Sequence, residues 1–347
     1  MVTASAAISD LLLEWYDRSA RTFPWRLPPG SGSHPDPYQV WLSEVMLQQT
    51  TTTAVVPYFR KFVAAWPTVE ALASAPEEEV LAAWAGLGYY SRARNLVKAA
   101  RAVQARGGFP DTEAGLKALP GVGEYIAAAV AAIAFGRPAV VVDANVERVV
   151  ARLFALDEPL PKVRSAIRER TADITPRERA GDFAQAMMDL GATICTPRDP
   201  KCLLCPLNRE CQGLLTGDPA ALPVKVARKA RRHVNGTAFW IEREGAVWLV
   251  RRPDQGMLGG MRALPDDGWS ASADGSDQPP LKGAWKAGGM VEHGFTHCSL
   301  ALSVAIYAGD DWESLGEDGE WWSVAEIGEA GLPTLYAKVA ERVLAVR

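Results

Sequence analysis

Several features of other protein classes are missing from this sequence of 347 residues. It has no run of 18 or more apolar residues, whereas a membrane-spanning helix needs about 20, so we expect no membrane partner. No Lys or Arg precedes the first short apolar run, so we predict no secretory signal and a reducing, cytoplasmic location. There are only four histidines, and His293 and His297 alone are too few for a metal site.

A strong net charge is also missing, since the formal value is −4, but the charge is unevenly distributed. Residues 1–233 contain 28 Lys or Arg and 24 Asp or Glu, whereas residues 234–347 contain 9 and 17. This asymmetry predicts two domains with separate tasks. The densest basic stretch, 225–233, is either a solvated linker or a contact to phosphates.

The periodicity of apolar residues also changes along the chain. Residues 1–212 show repeated helical spacing between Pro, Gly and Asp punctuation. Residues 213–233 lose this spacing and contain glycine and proline, which is typical of a linker. Residues 234–347 contain strand patterns and a final helix. The sequence therefore predicts a mainly α domain, a linker and a small α+β domain.

Within the last segment, two strand patterns are distinct. A hairpin is predicted with its turn at Glu244-Gly245, and residues 297–308 alternate as a strand. Residues 266–289 are rich in Gly, Ser, Asp and Pro, so we expect a long loop there.

Four cysteines lie within the 17 residues 195–211, at Cys195, Cys202, Cys205 and Cys211. Thiolates this close in sequence can converge on one metal centre, and a reducing compartment disfavours disulfides. Four-cysteine zinc sites are the main alternative. The 6-2-5 spacing resembles the [4Fe–4S] loop of the endonuclease III superfamily of DNA glycosylases, which favours the iron–sulfur cluster. Cys298 stands apart and is interpreted as a core residue.

A glycine-rich turn precedes an alanine-rich helix in LPGVGEYIAAAVAAIAFG, residues 119–136. Gly121, Val122 and Gly123 would leave backbone N–H groups at the helix start free to meet a phosphate. Together with VVVDANVERV (140–149), the turn resembles the helix-hairpin-helix-Gly/Pro-Asp signature of the same superfamily. Bifunctional members carry a lysine where this sequence has Tyr125. Tyrosine has no amine to form an imine, so a monofunctional glycosylase is predicted.

Four further strings narrow the resemblance: FPWR (23–26), DPYQVWLSEVMLQQT (36–50), GLGYYSRARN (86–95) and FAQAMMDLGATIC (183–195). They resemble the adenine DNA glycosylases of the MutY type. The resemblance implies that Glu44 protonates adenine at N7, which requires a raised pKa. It also implies that Asp143 stabilises the cationic sugar, with Tyr125 and Asn145 supporting the site. From the residues alone, Asp143 is equally an N-cap.

The resemblance assigns further residues to DNA. An adenine pocket is implied, because a stacked base must be extruded before it can react. The implied pocket residues are Trp25, Arg26, Leu47, Gln48, Gln185 and Asp189. The residues implied to read or wedge against the opposite base are Gln49, Thr50, Leu87, Gly88 and Tyr89. Arg92 and Arg94 are predicted phosphate contacts, with a solvated helix face as the alternative.

The carboxyl-terminal part resembles the Nudix-like domain that recognises 8-oxoguanine in this family. No glutamate occurs between residues 263 and 291, so the metal-binding helix of a Nudix hydrolase is excluded. The resemblance implies that Thr296 and His297 contact the lesion, although serine is usual where Thr296 stands. Met257 and Leu258 likewise replace a usual Leu-Trp pair.

We therefore predict a glycosylase that hydrolyses the N-glycosidic bond of adenine paired with 8-oxoguanine or guanine in double-stranded DNA. It would act in base excision repair, as a monomer associated with the nucleoid in the cytoplasm. The alternatives are a glycosylase of the same fold with another target base, and a non-catalytic protein that binds damaged DNA.

Overall fold

The computed structural model describes residues 4–226, 231–253, 256–295, 298–312, 315–316 and 319–345. They fall into two compact units, one of residues 1–77 and 92–227 and the other of residues 78–91 and 228–347. The helical first part and the smaller sheet-containing second part confirm the predicted fold class.

Twelve α-helices are described ahead of residue 216, in chain order: α1 (Ala4–Ser19), α2 (Pro37–Leu47), α3 (Thr52–Ala65), α4 (Val69–Ser74), α5 (Glu77–Trp84), α6 (Tyr90–Ala105), α7 (Glu113–Lys117), α8 (Glu124–Phe135), α9 (Ala144–Leu153), α10 (Arg164–Ile174), α11 (Ala180–Thr193) and α12 (Gln212–Leu215). Short 3₁₀ turns lie at Cys202–Leu204 and Pro219–Ala221. No helix of the described segments has the length and apolar character needed to cross a membrane.

Helix α8 is the centre of the helical unit. Its nine residues from Ile126 to Ala134 are all buried. Because most of them are alanine, α2, α7 and α11 can pack closely around it. The helix ends at Gly136, whose φ of 63° lies in the left-handed region that favours glycine at a helix end.

Aspartate side chains cap two of the helices that carry the site, α2 and α9. The Asp36 carboxylate accepts a hydrogen bond from the Tyr38 N–H at the start of α2, and Pro37 occupies the first turn. The Asp143 carboxylate likewise caps α9. Each such cap stabilises its helix by about 1 kcal/mol.

The described residues from 231 onward contain seven strands, a 3₁₀ turn at Val324–Glu329 and a final helix: β1 (Arg232–Trp240), β2 (Glu242–Arg243), β3 (Ala246–Arg251), β4 (Arg262–Ala263), β5 (Trp285–Gly294), β6 (Cys298–Tyr307), β7 (Gly319–Ser323) and α13 (Thr334–Leu344). In one sheet β6 pairs in parallel with β1 and antiparallel with β5. In the other, β3 pairs antiparallel with β2, β4 and β7. Helix α13 packs against β5 and closes the main apolar core.

The predicted hairpin is present, since β2 and β3 turn at Glu244 and Gly245, both with positive φ. The predicted loop 266–289 was too long, because β5 begins at Trp285. Its pairing with β6 is irregular between Ala287 and Gly289. Glycines at a bulge weaken the alternating pattern by which a strand is recognised.

Gly191 allows α11 to approach the start of α9. A Cβ atom at this position would lie 2.6 Å from Cβ of Asn145. We expect Gly191→Ala to force the helices apart and to destabilise the protein by about 1–3 kcal/mol. Its thermal melting temperature should therefore fall. Gly328→Ala is the control, because a Cβ there meets no atom within 4 Å. An unchanged melting temperature for Gly191→Ala would contradict the close packing of α11 and α9.

Candidate active site

A cavity of about 830 Å³ lies in the helical unit. It is bounded by α2, the first turns of α8 and α9, and α11. Eleven residues predicted for the site line it: Trp25, Arg26, Glu44, Leu47, Gln48, Gln49, Thr50, Tyr125, Asp143, Asn145 and Gln185. The structure thus gathers side chains from distant parts of the chain around one space.

Glu44 lies on α2 and is 5% exposed. Its Oε2 accepts a hydrogen bond of 2.7 Å from the Tyr125 hydroxyl on α8. Burial raises the pKa of Glu44 to about 7, and the charge of Asp143 acts in the same direction. The Tyr125 hydrogen bond and Arg26 oppose this rise. A carboxyl group with this pKa can be protonated near neutral pH and donate that proton.

Asp143 faces the same cavity from the start of α9. Its Oδ1 accepts hydrogen bonds from the backbone N–H groups of Asn145 and Val146, at 2.8 and 2.7 Å. Its Oδ2 accepts one from the Asn145 side chain at 2.8 Å. Burial raises the pKa of Asp143, whereas these hydrogen bonds lower it. The carboxylate that caps α9 therefore also lines the cavity, and its role in the reaction stays a prediction.

Asp189 is fully buried behind the cavity wall and binds two arginines. Its oxygens lie 2.6 Å from Arg21 Nη2 and 2.8 Å from Arg26 Nη1. A buried carboxylate is tolerated when it is paired in this way. Arg21 was not among the predicted site residues, and its partner is 168 residues away. The signal available was the string RTFPWR, in which two arginines flank aromatic residues.

Aromatic rings continue this wall. The rings of Phe23 and Trp25 stack with centroids 5.0 Å apart and planes 5° apart. The guanidinium groups of Arg21 and Arg26 lie over the Phe23 ring, at 5.0 and 5.1 Å. Phe23 and Met188 also line the cavity and were not predicted. A flat aromatic surface beside polar groups suits a planar heterocycle.

Comparison with known proteins agrees with this geometry. Residues 42–173 match the family described as HhH-GPD superfamily base excision DNA repair protein, and residues 237–342 match the NUDIX domain family. A human protein named adenine DNA glycosylase is 33% identical, over 97% of this chain and 74% of its own length. This chain belongs to the adenine DNA glycosylase family. The one from Mycobacterium tuberculosis is 43% identical, over 60% of this chain and 68% of its own.

Solved structures support the fold of this family member. A thermostable thymine-DNA glycosylase has a TM-score of 0.54 and 30% identity, and the match covers 61% of this chain and 97% of that one. An endonuclease III trapped as a covalent intermediate with DNA has a TM-score of 0.50 and 26% identity, over 62% and 99%. The resemblance inferred from the motifs is therefore confirmed.

The segments predicted to read the opposite base have distinctive backbones. Gln49 has a φ of 56° and Tyr89 a φ of 50°, which are uncommon for residues other than glycine. Leu87 is buried, whereas Tyr89 is 46% exposed. The Trp84 indole N–H donates to the Gly88 carbonyl at 3.0 Å, which fixes that turn. The DNA contacts of these residues stay predictions.

The arginines of α6 differ from what the sequence analysis expected. Arg92 is only 9% exposed, and its guanidinium donates to backbone carbonyls of Val45, Met46 and Gln48. Its predicted phosphate contact is corrected, because a guanidinium bonded inside the protein does not face DNA. Arg94 is half-buried, and its phosphate contact stays a prediction.

The turn Gly121-Val122-Gly123 precedes α8 as predicted. Gly121 has a φ of 72°, and a Cβ there would lie 2.5 Å from Cβ of Asn95. Val122 is buried, whereas both glycines are exposed. The exposed backbone at this helix start is compatible with the phosphate contact, which stays a prediction.

The four cysteines of the 195–211 loop line one small cavity together with Arg152. Arg152 Nη1 lies 3.3 Å from Cys195 Sγ and donates to the Thr196 carbonyl at 2.7 Å. Its Nε donates to the Leu222 carbonyl in the predicted linker at 2.9 Å. Across the described segments, no three His, Cys, Asp or Glu side chains are grouped closely enough to hold a metal ion.

Arg148 connects the cysteine loop with the cavity. Its Nε donates to the Cys195 carbonyl at 2.8 Å, and its Nη2 donates to Asn145 Oδ1 at 2.9 Å. Asn145 in turn donates to Asp143. A continuous set of hydrogen bonds therefore runs from Cys195 to Asp143. Thr296 and His297, the predicted lesion contacts, lie outside the described residues.

Proposed function

We propose that this protein removes adenine paired with 8-oxoguanine or guanine from double-stranded DNA, as a monofunctional glycosylase of base excision repair. The observation that carries the proposal is the buried pair Glu44 and Tyr125, which shares one cavity with Asp143. Two carboxyl groups with different environments are the usual requirement for cleaving a glycosidic bond.

We assign different chemical roles to the two carboxyl groups, because their environments differ. The protonated Glu44 donates its proton to N7 of the extruded adenine, so that the base leaves as a neutral molecule. The ionised Asp143 stabilises the positive charge that develops on the sugar. Water then adds to the sugar carbon, with Glu44 accepting its proton. The Tyr125 hydroxyl holds Glu44 in place but supplies no amine, so no imine with the sugar forms.

The pKa of Glu44 predicts the alkaline limb of the pH profile. The donor must be protonated, so the single-turnover rate should fall as pH rises above about 7. Well above this value the rate should drop about tenfold for each pH unit. The check is the rate of adenine release at saturating enzyme between pH 5.5 and pH 9.5, with duplex integrity verified separately. A rate that stays constant through pH 9 contradicts Glu44 as the acid.

One assay tests the function itself. Purified protein is incubated with duplexes that contain adenine opposite 8-oxoguanine, guanine or thymine, and the released base is measured. We expect release from the first two and none from the normal pair. A duplex with thymine opposite guanine tests the alternative that another base is the target, because a thymine-DNA glycosylase has a similar fold. Binding to damaged DNA without release of any base supports the non-catalytic alternative.

We propose that Cys195, Cys202, Cys205 and Cys211 hold a [4Fe–4S] cluster. Supporting this, the four cysteines line one cavity whose other lining residues bring no carboxylate or imidazole. Four thiolates suit iron–sulfur or zinc, and the family context favours iron–sulfur. The cluster would order the loop that Arg148 and Arg152 tie to the rest of the domain. We expect the purified protein to absorb visible light and to contain iron and sulfide in the amounts of one [4Fe–4S] cluster per chain. Colourless protein with one zinc per chain would contradict the proposal.

We further propose the boundaries 1–212, 213–233 and 234–347 for the glycosylase domain, the linker and the domain that recognises 8-oxoguanine. In this role Thr296 and His297 would contact the lesion. The protein would act as a monomer on nucleoid DNA in the cytoplasm. For a monomer, light scattering should give a molar mass near the calculated 37.4 kDa. The mass of a dimer would contradict the monomeric state.

A further inference from the structure

The guanidinium of Arg92 caps the carboxyl end of α2. Its Nη1 lies 3.0 Å from the Val45 carbonyl oxygen, 3.0 Å from that of Met46 and 2.6 Å from that of Gln48. Its Nη2 lies 3.3 Å from Thr50 Oγ1. One side chain from α6 therefore binds the last turn of α2 and the segment that follows it.

These hydrogen bonds supply partners for carbonyl groups at the end of the helix. The last carbonyls of a helix have no partner within the helix, and they carry the negative end of its dipole. A buried positive charge is stable only when it is well paired, and here the carbonyls pair it. Lysine lacks the planar fork that allows one group to reach several acceptors. Arg92 is therefore suited to this position by shape as well as by charge.

The segment Gln48–Thr50 needs such support. Gln49 adopts a φ of 56°, and a residue other than glycine keeps such a left-handed backbone only when its surroundings hold it. The other hydrogen bonds seen here are local: Thr50 N–H donates to Leu47 at 3.2 Å, and Thr50 Oγ1 to Gln48 at 3.3 Å. All three residues line the cavity. Arg92 provides the contact from another helix.

We propose that Arg92 is a positioning residue, which holds Gln48–Thr50 in the conformation that keeps adenine out of the base stack. This proposal rests on the proposed function. Arg92 acts on base extrusion rather than on bond cleavage, because Glu44 is held separately by the Tyr125 hydroxyl. Its loss should therefore slow the reaction most on those substrates from which extrusion of the base costs most.

The test compares two substrates with different extrusion costs. In one duplex adenine faces 8-oxoguanine, and in the other it faces a tetrahydrofuran abasic analogue, where no pairing opposes extrusion. For Arg92→Gln we expect single-turnover adenine release to slow about 30-fold on the first duplex and at most about threefold on the second. Arg92→Lys should lie between the wild type and Arg92→Gln, and the pH midpoint should not move.

A second readout does not depend on cleavage. With 2-aminopurine in place of the target adenine, the fluorescence gain on binding reports unstacking, and it should be smaller in both Arg92 variants. Arg101→Gln is the matched control, because Arg101 lies on the same helix and its Nε donates to the Ala73 carbonyl at 3.3 Å, at the end of α4. It should behave as the wild type in both assays.

The outcomes separate the explanations. Equal slowing of both duplexes by Arg92→Gln, or an unchanged fluorescence gain, overturns the proposal in favour of a purely structural role. If Arg92→Gln fails to fold, Arg92→Lys decides by the same two measurements, and wild-type behaviour of that variant also overturns it. Failure of the proposed function itself is distinct, since the wild type would then release no adenine from either duplex.

Discussion

Glu44→Gln is expected to lose at least about 10³-fold in the rate of adenine release while the protein becomes more stable at alkaline pH. The amide has almost the same shape as the carboxyl group, and its oxygen still accepts the Tyr125 hydrogen bond. It has no proton of suitable pKa to give to adenine. The loss should therefore appear in the chemical step measured at saturating enzyme.

The gain in stability follows from the direction of the pKa shift. The pKa of Glu44 is about 7 in the folded protein and near its ordinary 4.5 in the unfolded chain. Between these values the unfolded chain releases the proton first, so the free energy of unfolding falls as pH rises and levels off above about 7. Full ionisation of the buried group costs about 3 kcal/mol. Glutamine avoids this cost, because it does not ionise.

Thermal melting at pH 5 and pH 8 measures this effect. The difference in melting temperature between Glu44→Gln and the wild type should be small at pH 5 and clearly positive at pH 8. Glu169→Gln is the control, since the Glu169 carboxylate accepts only a bond of 3.3 Å from Ser165 on the exposed side of α10. It should match the wild type in rate and in both melts. Inactivation with lower stability at both pH values would mean damage to the fold instead.

The parts of this site that the sequence predicted are those encoded in short strings. Glu44 and Leu47 lie on the helix that begins after the Asp36-Pro37 pair, and Asp143 lies immediately before α9. Local capping and periodicity determine such placements, so a single chain reveals them. The alanine-rich run in residues 126–134 similarly indicates a helix packed on all sides.

The parts that the sequence did not predict depend on contacts between distant segments. Arg21 and Asp189 are 168 residues apart, and nothing near either residue specifies the other. Arg92 stands in a motif of charged residues that is typical of an exposed helix face, yet its side chain turns inward to α2. That direction depends on where the carboxyl end of α2 lies relative to Arg92, which the residues around position 92 do not specify.

Asp143→Asn is expected to slow adenine release about 10²- to 10³-fold with little change in stability. Asparagine caps a helix about as well as aspartate, so α9 should keep its first turn. The bonds from the backbone of Asn145 and Val146 can persist to the amide oxygen. What disappears is the negative charge beside the developing sugar cation, together with the bond that Asp143 Oδ2 accepts from the Asn145 side chain.

The same change should also shift the alkaline limb of the pH profile. The charge of Asp143 contributes to the raised pKa of Glu44. Its removal therefore lowers that pKa, and the rate of Asp143→Asn should begin to fall below the pH at which the wild type does. Asp143→Glu keeps the charge, so its midpoint should stay near that of the wild type even if its rate is lower. A slow Asp143→Asn with an unshifted midpoint would show that the two carboxyl groups do not interact, and Asp143 would then act on the sugar alone.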